Sequence, residues 1–172
     1  IFNHSTPEAI RAMRANLIDL AVVTTPMSLK KPLEKIPLSK CKEILICGPK
    51  YSYLTDIAKS LKDLTEIPLI SLSEGTGTYD LYNKFYIAHS VPFTPDMEVA
   101  TTDQIIPMIT HNLGIGFYPE DLATELIEDK KVFPINIEEK LPIREVCLVI
   151  NKSSAMSTSV QKFYNFLRNS VS

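Results

Sequence analysis

Residues 101–120, TTDQIIPMITHNLGIGFYPE, constrain the fold more than any other stretch. Thr101, Thr102 and Asp103 put hydroxyls and an acid at a helix start, where side-chain oxygens meet unpaired backbone N–H groups. Ile105, Ile106, Ile109 and Leu113 follow at helical spacing. Asn112 is placed to end the helix, because asparagine tolerates the left-handed conformation that closes one. LGIGFY, a short apolar run with two glycines, reads as a buried strand. Pro119 then opens PEDLATELI, with two acids in the first turn of a second helix. Helix, tight turn, strand and helix leave backbone N–H groups and hydroxyls at the strand end. Such an end suits a small polar or anionic ligand.

The remaining chain repeats this alternation. Ser5 or Thr6 is placed to cap a helix with Pro7 and Glu8 in its first turn. Ala9, Ile10, Met13 and Leu17 form its apolar stripe. LAVV, residues 20–23, reads as a strand buried on both faces, as in a parallel sheet. IFN looks like the tail of an earlier strand, which completes a strand–helix–strand unit. Residues 26–40 are proline-rich and basic and read as a surface connection with one short extended piece. EILICG (43–48) is a strand and 54–64 an amphipathic helix. Residues 69–72 form a strand, SEGTGT turns into a helix over 79–89, and 97–100 and 131–135 are further strands. REVCLVI (144–150) is a strong strand. A closing helix over 158–168 turns Val160, Phe163, Phe166 and Leu167 inward.

Composition narrows the function. The chain has 172 residues and a net charge of −2, with lysines and arginines dispersed. Without a basic stripe it is a poor nucleic-acid binder by itself. No apolar run is long enough to span a membrane, and the first residues lack a signal peptide's pattern, which points to the cytoplasm. Cys41, Cys47 and Cys147 lack CxxC spacing, so they read as small buried hydrophobes rather than zinc or redox groups. His4, His89 and His111 are dispersed with no acid or thiol at ligand spacing, so no metal is expected. There is no G-x-S-x-G, and Glu74, Asp103 and Asp121 read as helix-start acids rather than catalysts. We expect no cofactor and no catalytic residue.

Three blocks together resemble a known family. STPEAIRAMRANLIDLAVV (5–23), IPLISLSEGTGTYDLY (67–82) and the 101–120 stretch occur in the order seen in the effector-binding domain of LysR-type transcriptional regulators. Asn112 stands where that family usually has glycine. Patterning gives two α/β lobes, and the resemblance supplies the path between them. It implies a type II periplasmic-binding-protein-like fold, two Rossmann-like lobes joined by two crossovers: lobe I from 1–66 with 142–172, lobe II from 67–141. The family's first strand and helix, its winged helix-turn-helix and its linker helix have no counterpart in these residues. DNA contact is thus expected only through an N-terminal domain absent from this chain.

The expected role is non-enzymatic: a small polar effector in the inter-lobe cleft shifts the arrangement of a bacterial regulator. Ser71 and Ser73 share one strand face at a strand end, where open α/β sheets bind ligands. Thr76 lies in the turn that follows. Thr101 and Thr102 combine cap chemistry with a position that faces effector in the resembled family. Thr6 and Thr24 match family positions that contact effector. Ile10 and Met13 on the first helix, and Tyr82 and Phe85 on the 79–89 helix, belong to stripes wider than one contact needs. The resemblance has these two helices meet across a two-fold axis, giving a homodimer, or a tetramer in the full-length regulator. Two alternatives stay open: an extracytoplasmic solute-binding protein of the same fold, and an enzyme on this fold such as a deaminase or phosphoribosyltransferase.

Overall fold

The computed structural model describes residues 1–169. In chain order the elements are α1 (Thr6–Arg14), β1 (Leu20–Thr24), β2 (Leu33–Cys41), β3 (Glu43–Cys47), β4 (Leu69–Leu72), α2 (Gly77–Ala88), β5 (Met97–Val99), α3 (Ile105–Thr110), β6 (Ile115–Pro119), α4 (Glu120–Glu128), β7 (Phe133–Ile135), β8 (Arg144–Asn151) and α5 (Thr158–Asn169). They form two compact units, Ile1–Cys41 with Arg144 onward, and Lys42–Ile143. Each unit has its own sheet, three strands in the first and five in the second.

The first unit is built on the order β1-β8-β2, both pairings antiparallel. Ser5 caps α1 through a capping box with Glu8, and Ala9, Ile10 and Met13 pack on Ala21, Val23 and Val149. β1 departs from expectation. It pairs with β8 alone and leaves Val22 50% exposed, because it is an antiparallel edge strand with one covered face. Residues 1–3 form no strand. The presumed surface connection is mostly β2, whose nine residues pair along β8 with a bulge between Pro37 and Ser39. Proline is tolerated there because β2 is an edge and the bulge interrupts the ladder. On α5 no residue is buried, and Phe163 and Phe166 are exposed rather than turned into a core.

The second unit has the order β5-β4-β6-β3-β7. β4 pairs in parallel with β5 and β6, whereas β3 runs antiparallel to β6 and β7. Strand alternation sends Leu45, Cys47, Leu69, Ile115 and Phe117 to one face, under α2. Ile46, Ile70, Leu72 and Tyr118 go to the other, with Ile105 and Ile109 of α3 and Ala123 of α4. The glycine of the LGIG run at 114 serves close approach. A Cβ there would lie 2.2 Å from the Pro68 carbonyl oxygen, which accepts the Ile115 N–H at 2.8 Å.

The expected break at 66/67 falls instead at 41/42, and the return at 143/144. The cause is β3, which hydrogen-bonds from Glu43 opposite Pro119 to Cys47 opposite Ile115, so residues 42–66 belong with the second sheet. The expected helix over 54–64 is two 3-10 turns, Pro49–Thr55 and Leu61–Leu64, the second restarted by a Ser60–Asp63 capping box. Asn112 has the left-handed conformation anticipated for it, with φ 61°.

The four residues expected at a dimer interface lie in the cores of their own units. Met13 is 0% and Tyr82 2% exposed, and Ile10 and Phe85 are buried. On α2, Tyr82, Phe85 and Tyr86 form one stripe at i, i+3 and i+4 that closes over Phe117. The Tyr82 ring stacks on Phe117 with centroids 4.1 Å apart, and its hydroxyl donates to the buried Glu43 carboxylate. The width of the stripe came from Leu81 and Ile87, which flank the buried line.

Candidate functional site

In the second unit five of the predicted residues lie at the C-terminal ends of the parallel strands. Ser71 sits in β4 and is buried. Ser73 follows β4; its N–H and its Oγ both donate to the Val99 carbonyl, at 2.9 and 3.2 Å, and tie the ends of β4 and β5 together. Thr76 is the N-cap of α2, its Oγ1 accepting the Tyr79 N–H at 3.1 Å and donating to the Ser73 carbonyl at 2.9 Å. Thr101 forms a capping box with Gln104, whose Oε1 accepts the N–H groups of Ala100 and Thr101 at 2.9 and 3.2 Å. Thr102 opens the turn into α3 and is half-buried.

Strand order puts this rim at a point where the connections diverge. The chain leaves β4 for α2 on the Phe117 face, and leaves β6 for α4 on the Ala123 face. The connections therefore diverge at the ends of adjacent parallel strands, where open α/β sheets receive ligands. The rim is acidic rather than basic. Glu98 accepts the Glu74 N–H at 3.2 Å, and Glu120 pairs with Lys42 at 2.9 Å.

In the first unit, the α1–β1 hairpin brings Thr6, at the start of the helix, to the same end as Thr24, at the end of the strand. Arg144 was not singled out from the sequence. Its guanidinium donates to Thr24 Oγ1 and, through Nε, to the Thr25 carbonyl at 2.6 Å. A cation therefore stands beside Thr24, supplied from 120 residues away by the pairing of β8 with β1. No sequence signal places it there. A cavity of about 570 Å³ in this unit is lined by Leu17, Leu20, Val22, Val160 and Phe163 and contains none of the predicted effector residues.

Cys41, Cys47 and Cys147 are all buried. Burial pushes the Cys47 thiol up to about 11, and the Cys147 thiol is raised for the same reason. Among the described residues no group of three or more His, Cys, Asp or Glu is placed to hold a metal ion, and no helix is long and apolar enough to cross a membrane.

Two α/β units, the second with a hydroxyl-lined rim at its parallel strand ends, define a small-molecule-binding domain of the periplasmic-binding-protein-like class. The chain belongs to the LysR substrate-binding domain family, described as "LysR substrate binding domain", which matches residues 1–172. It is the effector-binding domain of a LysR-type transcriptional regulator. Among solved structures, the effector-binding domain of QuiR in complex with shikimate is similar at TM-score 0.83 and 17% identity, over 99% of this chain and 79% of that one. The regulatory domain of CcmR from Synechocystis PCC6803, in complex with 2-PG, gives 0.78 and 16%, over 98% and 80%. The apo regulatory domain of HypT from Salmonella typhimurium gives 0.78 and 17%, over 96% and 78%. At these identities the likeness is one of fold. No curated protein sequence matches the chain.

Proposed function

We propose that the second unit holds a small polar effector at the rim formed by Ser71, Ser73, Thr76, Thr101 and Thr102, and that its binding controls transcription by favouring one state of the regulator. The observation that carries this is the convergence of these hydroxyls at the ends of adjacent strands, where connections diverge to opposite faces. That the QuiR and CcmR domains were solved with shikimate and 2-PG supports a small molecule as the ligand. The same role is proposed for Thr6 and Thr24 in the first unit. A ligand shifts the regulator only by binding one of its states more tightly.

The domain acts as a homodimer in the cytoplasm, and DNA is gripped outside residues 1–172, since these carry a net charge of −2. No turnover of the effector is involved. A thermal-shift screen of a metabolite panel, followed by calorimetry on Ser73→Ala and Thr101→Ala, tests the reading. A hit whose affinity falls about five-fold per lost hydrogen bond supports it. A hit that binds both variants as tightly as the parent chain overturns the site.

A further inference from the structure

Among the tyrosines of the second unit's core, Tyr118 is the one near the C-terminal end of a parallel strand; Tyr51 lies in the turn after β3, and Tyr79, Tyr82 and Tyr86 lie on α2. Tyr118 is the penultimate residue of β6 and 8% exposed, its ring enclosed with Leu72, Ile105 and Ala123. Tyr82, more deeply buried, has its hydroxyl bonded to Glu43. The Tyr118 hydroxyl, like those of Tyr51 and Tyr86, makes no hydrogen bond among the described residues, so its place at the strand end is what distinguishes it. No fully buried side-chain nitrogen or oxygen among those residues lacks a partner, so the Tyr118 oxygen must reach solvent. It reaches it near Asp103, whose carboxylate adds to the burial that holds the phenol protonated above its ordinary range. Asp103 immediately follows Thr102 in the turn that leads from β5 to α3. The ring is thus packed as core while the hydroxyl is presented at the effector rim. A phenol so placed is a rigid hydrogen-bonding group open to a partner from solvent.

The charge around it restricts what that partner is. Residues 69–76, 97–104 and 115–121, which form the three strand ends, contain Glu74, Glu98, Asp103, Glu120 and Asp121 and no lysine, arginine or histidine. Lys42, which approaches from β3's side, is paired with Glu120. An anionic group brought here meets carboxylates and no unengaged cation from these strand ends, whereas a neutral hydroxyl finds Tyr118 and the serine and threonine hydroxyls.

We propose that Tyr118 is a specificity-determining residue of the effector site, and that the second unit recognises the uncharged, hydroxyl-bearing face of a polyol-like molecule rather than a phosphate or carboxylate. This rests on the effector-binding reading above. The test uses protein labelled with ¹³C at tyrosine Cζ, with the Tyr118 resonance assigned from Tyr118→Phe. The probes are myo-inositol, D-glucose and D-ribose as neutral polyols, and inorganic phosphate and acetate as anions. The expected result is that a polyol shifts the Tyr118 resonance and that Tyr118→Phe weakens its binding about five-fold at an unchanged urea midpoint. The inference is overturned if the polyol binds Tyr118→Phe unchanged, if only phosphate or acetate moves the resonance, or if no probe binds. Ser73→Ala separates the two ideas: a polyol lost by Ser73→Ala but kept by Tyr118→Phe leaves the effector rim standing and removes Tyr118 from it.

Discussion

The side-chain oxygen of Asn112 accepts the backbone N–H of Lys50 at 2.8 Å, joining the end of α3 to the turn that follows β3. Asn112 also has φ 61°, where glycine is the usual choice. The substitution for glycine is therefore explained. Asparagine tolerates the left-handed conformation and adds a tie that glycine lacks. Asn112→Ala removes the bond and strains the backbone, and should cost about 2 kcal/mol in urea denaturation. Asn112→Gly loses the bond alone and should cost about 1 kcal/mol or less. Equal losses for the two variants would show that the backbone conformation plays no part.

The buried thiols set an alkaline limit. Cys47 titrates near its ordinary 9.0 when unfolded and at about 11 when folded. The folded chain holds the proton more tightly, so this stabilisation is fully present below pH 9 and is lost as the pH rises toward 11. Cys147 acts in the same direction. Stability measured against pH should fall over that window, and Cys47→Ala should flatten the fall. At neutral pH the same burial should make Cys47 slow to react with a thiol reagent until the protein is unfolded.

Burial of Tyr82 and exposure of Ile87 on the same helix separate folding from association. Tyr82→Asp places a charge between Phe117 and Glu43 and should unfold the second unit, whatever the oligomeric state. Ile87 is 62% exposed. If α2 contributes to the proposed homodimer, Ile87→Asp should yield monomers in sedimentation velocity at an unchanged urea midpoint. A dimer that survives Ile87→Asp would move the contact off this helix face.

Thr76 holds both the turn after β4 and the first turn of α2. Thr76→Ala should cost about 1 kcal/mol, the usual loss on removing a helix N-cap. Thr76→Ser retains an oxygen in the same place and should recover most of it. Serine recovering nothing would place the threonine methyl, not the cap, at the centre of the effect.

Much of the second unit was legible because its signals are local. Residues 115–118 of the LGIGFY run fall in β6, where they are buried as a central strand requires, while Leu113 and Gly114 belong to the turn before it. The Thr101–Gln104 cap and the Asn112 turn follow from side-chain chemistry a few residues apart. What was not legible depends on partners far along the chain. β2 was hidden because Lys35, Pro37 and Lys40 obscure an edge strand that only β8 organises. Arg144 reaches Thr24 through the β1–β8 pairing. Tyr82 and Phe85 looked like surface because aromatics surround α2; only the position of Phe117 shows which of them are enclosed. Tyr118 sits inside an apolar run, and nothing in the sequence separates its solvent-reaching hydroxyl from a core group.

The central claim is that the hydroxyl rim of the second unit is the effector site. It is tested most directly by ¹H–¹⁵N chemical-shift mapping of the chain titrated with the thermal-shift hit. The account predicts shifts concentrated at the backbone amides of 73–76 and 101–104, the segments that join β4 to α2 and β5 to α3. Saturable binding that leaves those amides in place and moves residues of α4 and β7 instead would contradict it.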